Sequence, residues 1–214
     1  MLTRDLINIL TATALTLLLL AGSAFAGADR QEQFLTRLKS NAVNVHSISS
    51  DFEQTSFISL FQDKMISTGR FIFARPDNLR WEYETPFASG FLLKGNKGLR
   101  WDEAAKQPTQ FSTESAPEMA IISEQILAWT TMNIDWLASR YTIKMTGYDP
   151  AIMELVPRSE AAGDFMSMIR IFFSADGSYL QAIELHEPGG DYTRIDFRNV
   201  KINGPLPDGI FERR

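Results

Sequence analysis

The stretch Gly69-Arg70-Phe71-Ile72-Phe73-Ala74-Arg75-Pro76-Asp77-Asn78-Leu79-Arg80-Trp81-Glu82-Tyr83-Glu84-Thr85-Pro86 decides the fold. In its first half Phe71 and Phe73 fall on one face, with Arg70, Ile72 and Ala74 on the other. Pro76-Asp77-Asn78 is a turn signal. Leu79, Trp81 and Tyr83 then alternate with Arg80, Glu82 and Glu84, which predicts a strand with one apolar and one charged side. Pro86 closes the segment. Two period-two runs around one turn predict an antiparallel hairpin with an aromatic inner face.

The same texture extends outward. Ile48, Phe52 and Phe57 sit in a Ser/Thr-rich extended stretch that predicts a strand pairing with Met65 to Ala74. Phe87 to Lys94 and Gly98 to Asp102 read as two strands joined by a Gly95-Asn96-Lys97-Gly98 hairpin turn, and Lys106 to Ser112 as another. Strands return at Tyr141 to Tyr148, Ile152 to Pro157, Phe165 to Ser174, Tyr179 to Glu187 and Tyr192 to Ile202, with hairpin turns at Asp176-Gly177 and Gly189-Gly190. An amphipathic helix is expected over Asp29 to Asn41. A second helix follows Pro117, where Met119, Ile121, Ile122, Ile126, Leu127 and Trp129 make it apolar around much of its girth. Trp136 and Leu137 belong to a third, shorter one. About eleven strands with short connections predict antiparallel meander pairing. One sheet of that size must curl into a barrel or part of one, and the inserted apolar helix is placed to cover its open side. The expected fold is mainly β with α: an incomplete antiparallel β-barrel closed by a short helical lid.

Composition narrows the chemistry. The 214 residues carry a net charge of −5 with a pI near 5.1, so nucleic acid is not expected as a partner. There is no cysteine, which removes disulfides, thiolate metal sites, thiol nucleophiles and an N-terminal lipidated cysteine. His46 and His186 are the only histidines, and His186-Glu187 on one strand face opposite sides. No G-x-S-x-G, H-E-x-x-H, P-loop or G-x-G-x-x-G motif occurs. No catalytic residue, metal or cofactor is therefore expected. The positive signal is aromatic: fifteen phenylalanines, four tryptophans and five tyrosines, many at alternating strand positions. Such residues either fill a core or line a partly filled cavity.

The N-terminus reads as an address. Leu6 to Ala21 is an apolar run preceded by Arg4, and Ala24-Phe25-Ala26 fits the small-x-small cleavage pattern. Residues 1–26 are expected to be a signal peptide cleaved after Ala26, with residues 27–214 forming one exported domain; the alternative is an uncleaved N-terminal anchor. Export without a lipidated cysteine predicts a soluble periplasmic protein.

On these residues the chain resembles the LolA family of periplasmic outer-membrane lipoprotein carriers. The Arg75-Pro76 pair followed by Arg80-Trp81-Glu82-Tyr83 and Pro86 resembles that family's signature. Ser50-Asp51-Phe52-Glu53-Gln54-Thr55, the Gly95 to Trp101 hairpin, and Asn199 to Asn203 through Leu206 to Phe211 are similar to its opening, middle and closing segments, with Arg100 inserted before the tryptophan here. The resemblance implies a non-enzymatic carrier. Its cargo would be an acylated lipoprotein, taken from an inner-membrane ABC exporter and handed to an outer-membrane acceptor, with transient membrane contact and a monomeric state. It implies that Leu79, Trp81 and Tyr83 line a cavity and that Met119 to Trp129 is the lid; the expected cargo site adds Phe52, Phe71, Phe73, Phe91 and Leu93 from the sheet and Ile121, Ile122, Ile126 and Leu127 from the lid. It also implies that Arg75 latches the lid by bonding to lid backbone. The alternative reading is a periplasmic binder of another lipid, such as a fatty acid, phospholipid or polyene, tied to a specialised biosynthesis system. An enzyme on the same scaffold is the weakest of the three, for want of catalytic side chains.

A carrier must also let go. One fully dehydrated sixteen-carbon chain would bring roughly 12 kcal/mol at about 0.8 kcal/mol per methylene. The expectation is that an empty cavity buries Ile121, Ile122, Ile126 and Leu127 against the sheet, so that cargo must displace them and binding is partly offset.

Overall fold

The computed structural model describes residues 31–60, 63–104 and 107–212. The expected signal peptide, residues 1–26, lies outside them, as do Asp29 at the start of the first expected helix and Lys106. The chain divides into two compact units, Met1–Arg37 and Leu38–Arg214. Residues 31–43 are helical (α1).

The second unit is built on one eleven-stranded sheet. Its strands are β1 (Ser47–Ile58), β2 (Asp63–Ala74), β3 (Asn78–Thr85), β4 (Ser89–Lys94), β5 (Lys97–Trp101), β6 (Thr109–Ser112), β7 (Tyr141–Tyr148), β8 (Ala151–Pro157), β9 (Met168–Phe173), β10 (Leu180–His186) and β11 (Tyr192–Ile202). Between β6 and β7 lie α2 (Pro117–Thr130) and α3 (Ile134–Arg140). A four-residue helix, α4 (Glu160–Gly163), lies between β8 and β9; it is too short to leave a periodicity signal in the sequence. The spatial order is β6-β5-β4-β3-β2-β1-β11-β10-β9-β8-β7, and each neighbouring pair is antiparallel. Every neighbour but one follows in sequence. The exception is β1–β11, which joins the two halves of the chain at mid-sheet. β6 and β7 are the edges, so the sheet is open.

The sheet curls strongly. Trp81 on β3 and Phe173 on β9 line one cavity although five strand steps separate β3 from β9. A flat sheet would hold them about 24 Å apart. The aromatic pattern of the decisive hairpin is what faces the inside of the curl. Phe73 pairs with Leu79 and Phe71 with Trp81, and all four are buried. Gly69, opposite Tyr83, is required next to them, because a Cβ there would strike the Glu82 carbonyl and the Phe52 ring. The space it leaves lets Phe52 lie 4.8 Å from Trp81 and 5.3 Å, edge-on, from Tyr83.

The outer face is less simple than alternation predicts. On β8 to β11 it carries a ladder of charge: Arg170 bonds Glu154 at 2.8 Å and Glu184 at 3.4 Å, and Arg194 bonds Glu184 and Asp196, each at 2.7 Å. On β2 to β5 it holds a second apolar layer. Ile72, Leu92 and Trp101 are buried there with Arg80, expected on the charged side of its strand. Arg80 donates from Nη1 to the Ile210 carbonyl at 3.0 Å and from Nε to Glu82 at 3.0 Å, and stacks 5.2 Å from the Trp101 ring centroid. The segment Leu206 to Glu212 thus returns across the outside of the sheet. Local alternation could not reveal this, since the covering carbonyl lies 130 residues away.

Candidate functional site

The inner face of the curl is roofed by two helices. α2 begins at Pro117, whose fixed φ suits a first helical turn, and presents Met119, Ser123, Ile126 and Trp129 as its buried face. The spacing of 4, 3 and 3 residues traces one stripe of a helix. Its C-terminus is tied by Thr131, whose backbone N–H donates to the Leu127 carbonyl at 2.8 Å. Met132 then takes a positive φ of 49° and Asn133 caps α3, accepting from the Trp136 N–H at 3.1 Å. α3 is held to the sheet by Arg158, which donates to the Ala138 and Tyr141 carbonyls at 3.0 and 3.1 Å. The other cover is the end of α1, where Leu38 and Ala42 are buried.

Between these helices and the sheet lies an apolar cavity of about 40 Å³. Leu38 and Ala42 line it from α1 and Ile126, Trp129 and Thr130 from α2; the floor includes Ile48, Ser50, Phe71, Trp81, Phe173 and Phe197. Among the described residues no charged side chain lines it. Pockets that hold drug-sized ligands enclose roughly 300–1,000 Å³, so this one is small. A groove with a different character adjoins it along the inner face. Tyr83, packed on Phe52 and so on Trp81, also lines an open groove with Gln54, Met65, Ser67 and Phe87. Met65 and Phe87 are exposed there. Tyr83 donates its hydroxyl to Gln54 Oε1 at 2.7 Å, and burial pushes its pKa up. A continuous aromatic path therefore runs from the cavity to the open groove.

Among the residues expected to line a cavity, Phe71, Trp81 and Ile126 do so. Phe52, Phe73, Leu79 and Leu93 are buried beside or beneath that set, and Phe91, Tyr83 and Leu127 are half-buried. Ile121 and Ile122 correct the expectation: they are 65% and 43% exposed, on the outer surface of α2. A helix apolar around its girth has more than one face that could be inner, and the sequence does not rank them. Arg75 also has a different partner from the one expected. Its guanidinium donates to the Val45 and Ala42 carbonyls, each at 2.7 Å, at the end of α1 and not on α2. Among the lining residues missed from sequence, Phe173, Ile183, Phe197 and Val200 come from β9 to β11; burial alternates cleanly along β9, but alternation alone does not say which side of a strand faces the cavity. His186 shares a hydrogen bond with Glu184 Oε2 (3.1 Å) and stacks on Tyr192, while His46 is exposed.

Comparison with known proteins places this geometry. Residues 43–214 match the family described as "Outer membrane lipoprotein carrier protein LolA". An outer-membrane lipoprotein carrier protein of Dechloromonas aromatica is 30% identical over 207 residues, covering 96% of this chain and 91% of the relative. One of Methylococcus capsulatus is 26% identical over 183 residues, covering 83% and 81%. Among solved structures, an uncharacterized conserved protein from Thermus thermophilus superposes with a TM-score of 0.54 at 9% identity, covering 86% of this chain and 94% of that one, a likeness of fold.

Proposed function

This chain belongs to the LolA family, and from that premise we propose that it is a periplasmic lipoprotein carrier that shields acyl chains between α1, α2 and the curled sheet. The family is one of carriers and not of enzymes. In this reading residues 1–26 are a signal peptide, and residues 27–214 are the working protein. An inner-membrane ABC exporter loads it and an outer-membrane acceptor unloads it.

The observation that carries the reading is the small cavity without charged lining between the helices and the sheet. Its size in this state is too small for an acyl chain, so loading requires α2, α1 or both to lift. Ile126, Trp129, Leu38 and Ala42 would lose their contacts as they do, at about 1.5–3 kcal/mol for each large side chain. That cost offsets part of the gain from burying methylenes and keeps transfer reversible. The groove at Met65 and Phe87 supports a place where chains first meet the sheet, beside a membrane or a partner.

The test is native mass spectrometry of the mature protein mixed with a triacylated lipopeptide. A one-to-one adduct is expected, and none with the same peptide lacking its acyl chains. Equal adducts with both peptides, or none with either, would overturn the assignment.

A further inference from the structure

Two residues that line the cavity each carry a buried polar atom with no hydrogen-bond partner among the described residues. Ser50 is 6% exposed and Trp129 7% exposed, and Ser50 Oγ and Trp129 Nε1 have no hydrogen-bond partner among the described residues. Both residues line the cavity, Ser50 on β1 from the floor and Trp129 on α2 from the roof. The Thr130 and Ser178 hydroxyls, which also line the cavity, differ. Thr130 turns its hydroxyl back to the Ile126 carbonyl at 2.8 Å, and Ser178 donates to Asp176 at 2.8 Å. Buried donors are rarely left unmet in folded proteins, because they forfeit water without replacement. An alkyl chain alone would leave them so.

We propose that the cavity recognises a neutral carbonyl, the ester or amide of an acyl lipid, held between Ser50 and Trp129. This rests on the carrier reading and narrows its ligand. One carbonyl oxygen has two lone pairs and can accept from the Ser50 hydroxyl and the Trp129 indole together. A free carboxylate could accept the same bonds, but among the described residues no lysine, arginine or histidine lines the cavity to offset its buried charge. The site therefore favours acyl esters and amides over free fatty acids and over ether-linked chains. Because the two donors sit on opposite walls, a bound carbonyl would also bridge lid to sheet.

The experiment measures displacement of a bound naphthylamine dye from the mature protein by three probes of equal chain length: dioctanoylglycerol, its dioctyl ether analogue, and octanoate. The diester is expected to act at a concentration roughly threefold to tenfold below the diether, the effect of one or two net hydrogen bonds. Octanoate should be the weakest. In Trp129→Phe combined with Ser50→Ala the diester-to-diether ratio should fall to about one, whatever change the altered walls bring to both probes alike. A loss of folding would instead weaken both probes and the dye together, and each variant made singly would then carry the ratio test. Equal potency of diester and diether in the unsubstituted protein would overturn carbonyl recognition and leave the carrier reading standing. A ratio that survives the double substitution would overturn it too. Failure of all three probes to displace the dye would remove the acyl-binding reading beneath it.

Discussion

Arg75 donates from Nη2 to the Ala42 carbonyl at 2.7 Å, which ties the end of β2 to the last turn of α1. Its Nε donates to the Val45 carbonyl just beyond. The last carbonyls of a helix lack intrahelical partners, and a cation there also meets the negative end of the helix dipole. Arg75 is therefore a clasp on one wall of the cavity. Substitution Arg75→Leu is expected to cost about 1 kcal/mol, since the side chain is exposed to solvent screening. Hydrogen exchange should rise at residues 42–46 and leave α2 unchanged. Equal acceleration across Pro117–Thr130 would mean that the clasp controls both helices.

The two faces of α2 separate lid packing from lid surface. Ile126→Ala removes a buried wall of the cavity and should destabilise the protein by about 2–5 kcal/mol. Ile121→Ala, on the exposed side, should change stability by less than about 0.5 kcal/mol. Because cargo displaces Ile126, its truncation should also tighten binding of an acyl probe. Urea titrations with and without probe measure both effects, and equal costs at the two positions would place the inner face elsewhere.

Tryptophan reports where the chain goes. Trp81 and Trp129 line the cavity, while Trp101 is buried on the opposite face of the sheet. A lipid brominated in its acyl chain is expected to quench emission in the unsubstituted protein. The quenching should disappear in the Trp81→Phe, Trp129→Phe double variant. Quenching that persists there would locate the chain outside this cavity.

Arg80 anchors the outer layer. Its side chain is buried between Glu82, Trp101 and the Ile210 carbonyl. Arg80→Leu strands that carbonyl and a partly exposed carboxylate, and about 2–3 kcal/mol of destabilisation is expected. Proteolysis should then cut within residues 203–212 sooner, while probe binding on the inner face stays unchanged.

Acid should act on the β9–β10 turn. Hydrogen bonds from Ser174 and Ser178 hold the Asp176 pKa below the ordinary carboxylate range. A carboxyl whose folded pKa is lowered contributes its full stability above its unfolded pKa of about 3.9, and loses it as pH falls through the lower folded value. Asp176→Asn should therefore lower the melting temperature at neutral pH and flatten its decline below about pH 4. Parallel melting curves across that range would remove the turn from the acid response.

Much of the fold was legible because strand pairing here is local. Leu79, Trp81 and Tyr83 against Phe71 and Phe73 announce a hairpin through alternation alone, and all but one of the sheet's neighbours are consecutive in sequence. The helix after Pro117 was equally plain from composition. Of the cavity, only the hairpin's aromatic side and Ile126 could be read. Phe173, Ile183 and Phe197 could not, because which side of a strand becomes the inside depends on how the sheet bends.

The amino-acid sequence by itself determined the meander of antiparallel strands, the inserted helix, the absence of cysteine chemistry and the family. These follow from periodicity, turn residues, composition and short motifs, which act over a few neighbouring positions. Tertiary structure alone decided that Ile121 and Ile122 face out and Ile126 in, that Arg75 grips α1, that Arg80 is roofed by residues near 210, and that Ser50 and Trp129 line one cavity. Those choices are set by curl and by contacts between distant segments. A helix with several apolar faces, or an arginine with several reachable carbonyls, takes the partner that the assembled sheet brings within a few ångströms.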